Sequence, residues 1–511
     1  MGETHEELLG EQGRVLRPTF NGSIRVEARR ERLTSDAGAI LLRELMERLG
    51  LIRWLEARLR DPRNPALTTH PLSELLRTQL LLLAQGWTDA DDADLLRDDP
   101  ALRLAVSERK QDSPLRPAPE GAMTPDGLAS QPTISRLLAA LAHPLNASVL
   151  QEANLFCAQQ RSHWLGPRQR LPELTLDADS LPLKVHGQQA GSAYNGYYHI
   201  RCYHPLIFGS AETGELFGAV LREGNLHTAN GLDEALPTYL DWAQTYLADH
   251  ITVRGDAGMP SDTLLTALEQ RAPRPTYVFR FTSYPPLQAA TRGLLARYQQ
   301  DLRERPQEVR EQEFRCHELR YQGHEWHHSR RVVMVIVAPE DGQLLPRAFF
   351  LVTNFSAQTM SGALLVDLYR ERGTYEQMLG QLKSTLTPQL SSSVRPKTHY
   401  RGQQPVQRYA SRDAFATNQA ILSLNLLAYN LLNLTALLHE RAARRPGRPK
   451  VYGHVSNRIT PKTVRQLYLK VSARITFHGR RVWLSISEQA APYWYRLWAL
   501  LDRIGYAPAV A

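Results

Sequence analysis

The chain has 511 residues, of which 42% are hydrophobic and 22% charged, a composition typical of globular proteins with two to four domains. Its net charge of +9 favours a polyanionic partner, but charge alone does not separate DNA from RNA or a membrane surface. Three cysteines with no CxxC pair exclude a disulfide framework and a cysteine-based zinc site.

The first part of the chain, residues 1–168, is predicted to form a helical domain. Apolar residues recur at three- and four-residue spacings in 37–51 and 71–83, which is the period of a helix with one buried face. A Pro-rich stretch at 113–125 then predicts a linker before the next region.

The segment 173–187 contains two candidate acids. Apolar and polar residues alternate from Leu174 to Asp179, and a period of two predicts a strand in which Asp177 and Asp179 share one face. Two further strand-like runs, 197–208 and 215–221, predict an antiparallel three-stranded start. By itself, an ordinary polar outer face explains the two aspartates equally well.

A third aspartate, Asp256, lies where a β-branched run at 251–254 meets a glycine-flanked turn. A helix is predicted to follow, with Ser261 as its N-cap. The carboxyl end of a strand before a helix is where α/β sheets usually place their chemistry. By itself, a turn aspartate that bonds its own backbone is the simpler interpretation.

Strand-like runs at 277–281, 330–338 and 348–353 occupy the long interval between Asp256 and Glu376. This interval is too long for a minimal core. The sequence therefore predicts a β-rich insertion at 285–347.

The segment 369–383 is predicted to be a helix with a polar strip. At about 100° per residue, Tyr369, Arg372, Glu376 and Lys383 fall in one narrow sector beside a leucine-rich face. Arg372 precedes Glu376, which is the weaker orientation for an i,i+4 salt bridge. The strip is therefore interpreted as a semi-buried site in preference to a solvated helix face.

These motifs resemble, in their order along the chain, those of bacterial insertion-sequence DDE transposases with a Tyr-x2-Arg-x3-Glu-x6-Lys signature. They are LDADS at 176–180, HGQQ at 186–189, RGDAG at 254–258 and the helix at 369–383. Blocks at 33–42, 86–100 and 129–137 extend the resemblance to nearly the whole chain.

The resemblance implies an α/β fold with an RNase H-like mixed sheet flanked by helices. The catalytic core would consist of 169–284 and 348–440, interrupted by the β-rich insertion at 285–347. The helical N-terminal domain, 1–168, and a small basic C-terminal segment, 441–511, would bind the DNA ends and assist assembly.

The resemblance also implies an activity: metal-dependent cleavage at inverted-repeat ends and strand transfer into target DNA, by cut-and-paste through a hairpin. Asp179, Asp256 and Glu376 would be the catalytic, metal-binding acids, with Asp177 as an unresolved rival of Asp179. They would hold two Mg²⁺ ions, which Mn²⁺ can replace, since such cations prefer oxygen ligands. The partners would be double-stranded DNA and a second copy of the chain, with no small-molecule substrate.

Three of the helix residues, Tyr369, Arg372 and Lys383, would hold a terminal phosphate of the element. Trp326 or Phe349 would stack on a flipped base. The alternative for both aromatics is ordinary core packing, and it is stronger for Phe349 than for Trp326, whose neighbours are polar.

The C-terminal segment carries the positive charge of the chain. Residues 441–482 contain twelve Lys and Arg and no Asp or Glu, more than the whole net charge of +9. A polyanion-binding segment is predicted, and a basic linker between domains is the alternative. The predicted DNA contacts here are Arg444, Arg445, Arg448 and Lys450.

No membrane span is expected. The N-terminal residues lack the apolar core of a secretory signal, and the apolar run 420–438 carries asparagines that would be costly in lipid. We therefore expect a cytoplasmic, nucleoid-associated protein. Two other classes stay open: a domesticated RNase H-like nuclease or recombinase, and a non-catalytic DNA-binding protein, which the retention of every candidate acid disfavours.

Overall fold

The fold is mixed α/β, as predicted, with a large mixed sheet flanked by helices. A second, mainly helical layer lies beside this sheet. The computed structural model describes residues 17–21, 23–27, 31–109, 114–115, 127–165, 170–187, 189–311, 313–339, 345–392, 413–443, 458–478 and 481–508.

Helices dominate the first 165 residues. After β1 (Arg32–Thr34) come α1 (Gly38–Leu49), α2 (Leu51–Arg58), α3 (Leu72–Gln85), α4 (Asp92–Leu95), α5 (Pro100–Val106), α6 (Gln131–Leu141) and α7 (Pro144–Leu165). The predicted helices at 37–51 and 71–83 correspond to α1 and α3. Gly50, at φ 71°, ends α1 in a left-handed conformation that costs glycine little.

Strands and helices mix in the rest of the chain. The strands are β2 (Leu171–Ser180), β3 (Leu183–Lys184), β4 (Ala193–Asn195), β5 (Ile200–Tyr203), β6 (Leu206–Ser210), β7 (Glu215–Val220), β8 (Ala248–Gly255), β9 (Thr276–Phe281), β10 (Phe314–Tyr321), β11 (Arg330–Val337), β12 (Arg347–Thr353), β13 (Ala473–His478) and β14 (Arg481–Ile486). The helices are α8 (Leu232–Tyr246), α9 (Asp262–Gln270), α10 (Pro285–Glu304), α11 (Pro306–Glu311), α12 (Gly362–Arg370), α13 (Arg372–Gln381), α14 (Ala414–Ala443), α15 (Pro461–Val464) and α16 (Ala491–Ile504).

The main sheet has eight strands in the order β10-β11-β12-β9-β8-β2-β6-β7. Strands β2, β8 and β9 run parallel, whereas β6 and β7 follow β2 in antiparallel succession. The central strand β2 is buried from Leu174 to Ala178. Its alternating pattern therefore does not mark a polar face in contact with water.

Helices cover the two faces of this sheet. On one face, α8 and α9 pack through side chains such as Leu240 and Leu265 against the apolar residues of β2, β8 and β9. On the other face, Leu365 and Val366 of α12 pack against Val278 and neighbouring strand residues. The polar residues of β2 point toward the face covered by α12 and α13, so the helices predicted to carry the site lie on the correct side.

The predicted second strand at 197–208 is two strands in different sheets. Strand β5 belongs to a small sheet of order β3-β5-β4, whereas β6 belongs to the main sheet. Pro205 lies between them, and proline has no amide hydrogen to donate to a strand ladder. The predicted antiparallel start is therefore built from β2, β6 and β7, with β3, β4 and β5 as an excursion.

The segment 285–347 differs from the predicted β-rich insertion. It begins with α10 and α11, and its strands β10 and β11 extend the main sheet through β12 to β9. The strand patterns at 277–281, 330–338 and 348–353 correspond to β9, β11 and β12. The pattern of a strand shows its two faces, but not the strand with which it pairs.

The two ends of the described chain pack together. Strand β1 pairs with β13, which pairs with β14, and the Lys470 ammonium lies 2.6 Å from the buried Asp36 carboxylate. One apolar cluster includes residues from Ala37 to Leu501. The helical N-terminal region is thus joined to the C-terminal segment, and the domain boundaries at 168 and 441 stay predictions.

Helix α14 is the one helix of the described residues that is long and apolar enough to cross a membrane by length and composition. Of its most apolar window, 94% is buried inside the fold. It packs against α3, α7 and β7, and side chains such as Asn430 bond the backbone of β7. These contacts are those of a core helix, as predicted for the run at 420–438.

Candidate active site

Two candidate acids lie side by side at one edge of the main sheet. Strands β2 and β8 are parallel neighbours whose register places Asp177 opposite Arg254. Asp179 and Asp256 each stand two residues further along, where their strands end. Parallel pairing therefore brings acids that are far apart in the sequence to one crevice, the position where such sheets bind ligands.

Helix α13 places Glu376 at the same edge, and Arg372 connects it to the first acid. The Arg372 guanidinium donates to Asp179 Oδ2 at 2.6 Å and also to Glu376 Oε1. Only 11% of the Arg372 side chain is exposed, whereas Glu376 is 53% exposed. These charge-assisted bonds hold the helix against the end of β2.

The Asp179 carboxylate occupies an electrostatically unfavourable position. Burial raises its pKa to about 6, and the negative charges of Asp256 and Glu376 add to the shift. The Arg372 guanidinium opposes the shift without cancelling it. Because the three acids repel one another, a positive charge bound between them would stabilise their ionised forms.

The donors at this edge are carboxylate oxygens, which Mg²⁺ prefers. Among the residues that the structure describes, no three His, Cys, Asp or Glu side chains converge closely enough to hold one ion. At this edge the Arg372 guanidinium lies between Asp179 and Glu376. The carboxylate oxygens suit a divalent cation, and a cation would relieve the repulsion between the acids. Arg372 would have to release Asp179 and Glu376 for a cation to bind both of them.

Asp177 shares a face with Asp179 but has different partners. It is fully buried and forms an ion pair with Arg254, with Arg254 Nε 2.6 Å from Asp177 Oδ1. The Ala211 amide also donates to Asp177, and Arg254 donates to the carbonyl of Leu368 in α12. Asp177 therefore joins β2, β8 and α12, whereas Asp179 lies beside Arg372.

The single helix predicted for 369–383 is divided. It consists of the end of α12, all of α13 and a π-helical turn at Leu382–Leu386. Tyr369 is half-buried beside the acids, and burial raises its pKa to about 12. Lys383 lies in the wider π turn, is exposed, and is close enough to Cys202 to oppose the rise in the thiol pKa that burial causes.

The two aromatic candidates differ from the expectation. Trp326 is only 8% exposed, and its ring packs 5.0 Å from the Phe281 ring with the Arg330 guanidinium over it. Phe349 is half-buried, with the Arg280 guanidinium 5.6 Å from its ring centre. Core packing is thus more complete for Trp326 than for Phe349, the reverse of the prediction, and base stacking by Trp326 would require its ring to leave this packing.

The basic contacts predicted for the C-terminal segment lie outside the described residues; they are Arg444, Arg445, Arg448 and Lys450. In the described part of this segment, Arg474 and Arg481 are exposed on the hairpin formed by β13 and β14. Their exposure does not test polyanion binding, which stays a prediction for this segment.

Sequence reasoning did not find Arg222, which organises the backbone around the first acid. Its buried guanidinium donates to Ser180 Oγ at 2.7 Å and to the carbonyl of His204 at 2.9 Å. The same side chain donates to the carbonyls of Thr228 and Asn230 in the loop before α8. A single arginine after a strand gives no sequence signal, because its partners come from three separate segments.

Replacing Asp179 by Asn is expected to stabilise the metal-free protein at neutral pH. Because the carboxyl pKa is about 6 against a usual 3.8, the wild type loses stability as the pH rises between these values, and the neutral amide does not. We expect the free energy of unfolding in urea with EDTA to be about 1–3 kcal/mol higher for the Asp179→Asn variant at about pH 8.

The difference should vanish below about pH 3, where the carboxyl of the wild type is protonated in both the folded and the unfolded state. The exposed Asp367→Asn variant serves as the control for loss of one acid. An Asp179→Asn protein less stable than the wild type at about pH 8 would mean that Arg372 stabilises the ionised carboxylate more than burial opposes it.

The geometry places Asp179 and Asp256 at neighbouring strand ends of a mixed α/β sheet, with Glu376 on a helix that Arg372 joins to Asp179. A family model described as Transposase DDE domain group 1 matches residues 16–509. The chain therefore belongs to this family of DDE transposases, whose members act in DNA transposition of mobile elements and generally use divalent metal ions.

Among solved structures, the chain is similar to one described as the cryo-EM structure of piggyBac transposase synaptic complex with hairpin DNA. The similarity has a TM-score of 0.34 and 14% sequence identity, and it covers 83% of this chain and 85% of that chain. No curated protein matches the chain.

Proposed function

We propose that the chain is the transposase of a bacterial insertion sequence, which cleaves the inverted-repeat ends of the element and transfers them into target DNA, by cut-and-paste through a hairpin. The observation that supports this proposal is the placement of Asp179 and Asp256 at neighbouring strand ends, with Glu376 joined to Asp179 through Arg372. Transposition requires a site that cleaves and forms phosphodiester bonds, and acids from three separate elements could hold the cations that this chemistry uses.

An RNase H-like core is part of the proposal. It is supported by the strand order β7-β6-β2-β8-β9, in which the first three strands are antiparallel and β8 and β9 run parallel to β2. Helices α8 and α9 connect β7 to β8 and β8 to β9. This arrangement puts the first acid on the central strand and the second on its parallel neighbour.

The three acids would hold two divalent cations, Mg²⁺ or Mn²⁺. When bound, such ions supply Lewis-acid stabilisation of the attacking and leaving oxygens of a phosphodiester. The chain itself supplies Arg372, which neutralises the acids before loading and is suited afterwards to a phosphate by its planar fork of donors. Tyr369, half-buried beside it, would orient the same phosphate through its hydroxyl.

We propose that the active form is a homodimer bound to double-stranded DNA. It would act in the cytoplasm and would have no small-molecule substrate. The basic residues of 441–482 would contribute contacts to the DNA backbone. Such contacts make affinity fall with salt and carry little sequence information, so recognition of the repeat would depend on other parts of the chain.

The test is cleavage of a plasmid that carries the native DNA flanking the gene, with Mg²⁺ and in parallel with EDTA. The proposal expects nicks or double-strand breaks at the repeat boundaries in Mg²⁺ alone. Breaks at unrelated positions would indicate a general nuclease. Binding of the repeats without any cleavage would indicate a non-catalytic DNA-binding protein.

Replacing Lys383 by Ala is expected to weaken binding of the cleaved DNA end more than binding of the intact end. Lys383 is exposed on the π turn that follows the helix of Glu376, and its positive charge would favour the negative charge of a newly formed terminal phosphate. We expect a roughly tenfold loss of affinity for the cleaved end, as one charge-assisted bond implies. Lys383→Arg, which keeps the charge, is the control, and equal losses for both DNA forms would contradict the phosphate role.

A further inference from the structure

Three exposed tyrosines lie within five residues, Tyr194 in β4 and Tyr197 and Tyr198 in the turn that joins β4 to β5. Tyr194 is 58% exposed, Tyr197 84% and Tyr198 38%. The rings of Tyr197 and Tyr198 pack edge to face, with centroids 4.9 Å apart. Single exposed aromatics are ordinary on protein surfaces, but three together on one hairpin form an exposed aromatic surface of the kind that marks a binding site.

This tyrosine surface, defined as Tyr194, Tyr197 and Tyr198, is held in a fixed backbone conformation. The Asn195 side chain accepts hydrogen bonds from the amides of Tyr197 and Tyr198 and donates to the carbonyl of Gly224 at 2.7 Å. Asn195 is itself buried. A ring presented by a rigid turn loses little freedom on contact with a ligand, which favours binding.

Contacts lead from this surface to the acids. The Tyr198 ring lies 5.8 Å from that of His204, whose carbonyl accepts from Arg222. Arg222 in turn donates to Ser180, the residue after Asp179. Tyr198 is thus linked to the strand end that carries Asp179, and Tyr197 packs against Tyr198 on the side of the same hairpin.

The second acid is bordered by the same group of loops. The His204 ring contacts the carbonyl of Leu226, and the next residue, His227, packs so closely on Gly258 that a Cβ there would lie 2.9 Å from the imidazole. Gly258 stands two residues after Asp256.

Two exposed cations lie on this hairpin or near it. Arg201 is exposed and stands directly opposite Tyr194 in the β4–β5 pairing. Lys383 is exposed on the π turn and lies near Cys202, the next residue of β5. Aromatic faces together with cations suit a ligand that combines flat bases with phosphates, and this combination distinguishes a nucleic acid from an apolar protein partner.

We propose that the tyrosine surface stacks on unpaired nucleobases at the DNA end beside the acids. The inference rests on the proposed function, because it names the part of the DNA that the same site engages. Bases inside a duplex have no free face, so such a surface selects melted, frayed or cleaved ends. It reads no sequence, since every base presents a π face.

The experiment measures binding of a fluorescein-labelled duplex of the native terminal sequence, either fully paired or with unpaired bases at its end. The variants are the double substitutions Tyr194→Ser/Tyr197→Ser and Tyr194→Phe/Tyr197→Phe. Tyr246→Ser is the matched control, because Tyr246 is 43% exposed and ends α8 just before β8 begins, whereas Asp256 follows the other end of β8. Both test positions are exposed, so folding should be unaffected, and circular dichroism checks this.

We expect the serine pair to lose roughly tenfold or more of the affinity for the unpaired form, with little change for the paired form. The phenylalanine pair and the Tyr246 control should bind as the wild type does. A 5-iodouracil placed among the unpaired bases should photo-crosslink to Tyr194 or Tyr197 in the wild type.

Equal affinities for the wild type and the serine pair would overturn the proposal. So would a serine pair that binds DNA normally but no longer self-associates in sedimentation, since the surface would then contact a second copy. Plasmid cleavage in parallel separates the two proposals. If the serine pair binds and cleaves DNA as the wild type does, only the proposal for the tyrosine surface is refuted. If binding depends on the tyrosines but the wild type cleaves no DNA, only the proposed transposase activity is refuted.

Discussion

Replacing Glu376 by Gln, or Asp256 by Asn, is expected to lower the rate of DNA-end cleavage by about a thousandfold or more. Each substitution removes a carboxylate oxygen that would bind the proposed cation while keeping the size of the side chain. Ligands that hold a catalytic cation account for several kcal/mol of transition-state stabilisation, and each 1.36 kcal/mol corresponds to tenfold in rate. The measurement is single-turnover cleavage of the native flanking DNA with Mg²⁺.

The control for charge is Asp367→Asn, which removes an exposed acid from α12. It should cleave at the wild-type rate. Binding of intact DNA ends by the Glu376→Gln and Asp256→Asn proteins should be unchanged or slightly tighter, because a negative charge beside the phosphate has been removed. Cleavage near the wild-type rate by either variant would show that these acids do not carry the chemistry.

The order of acids along the chain could be predicted because each lies in a local pattern. Alternation identified β2, a β-branched run with a glycine turn identified the end of β8, and helical spacing identified the strip that contains Arg372 and Glu376. Such patterns depend on residues a few positions apart. The structure brings these segments together at one sheet edge.

Those local patterns could not decide whether Asp177 or Asp179 is the first candidate acid. A period of two places both on one face, and the difference lies in their partners: Arg254 from β8 faces Asp177, whereas Arg372 from α13 faces Asp179. Partners that come from distant segments are set by strand pairing and helix packing, which a single sequence does not encode locally. The same reason explains why Arg222 was missed.

Pairing also explains the differences in the fold. Strand β11 had a recognisable pattern, whereas β10 was not predicted, and the place of both in the main sheet depends on β12 and β9. The pairing of β1 with β13 joins segments from opposite ends of the chain. Core packing was expected to be less probable for Trp326 than for Phe349 because the sequence neighbours of Trp326 are polar, yet its ring packs against Phe281 of β9 and lies under the Arg330 guanidinium.

Replacing Arg254 by Met is expected to lower the free energy of unfolding by about 3–5 kcal/mol, because it leaves the Asp177 carboxylate buried without its partner. Both side chains are fully buried, so water cannot replace the lost bonds. Arg254 also donates to the carbonyl of Leu368, and its loss frees α12 as well. Urea unfolding at neutral pH measures the change.

The exposed pair of Arg305 and Asp301 provides the control, with side chains 55% and 27% exposed. Arg305→Met should cost far less than Arg254→Met, since exposed ion pairs contribute little. A double variant, Asp177→Leu with Arg254→Met, should recover much of the loss because it removes both buried charges. If Arg254→Met cost no more than Arg305→Met, the buried pair would not be what holds β2, β8 and α12 together, and the alignment of Glu376 with Asp179 would depend on Arg372 alone.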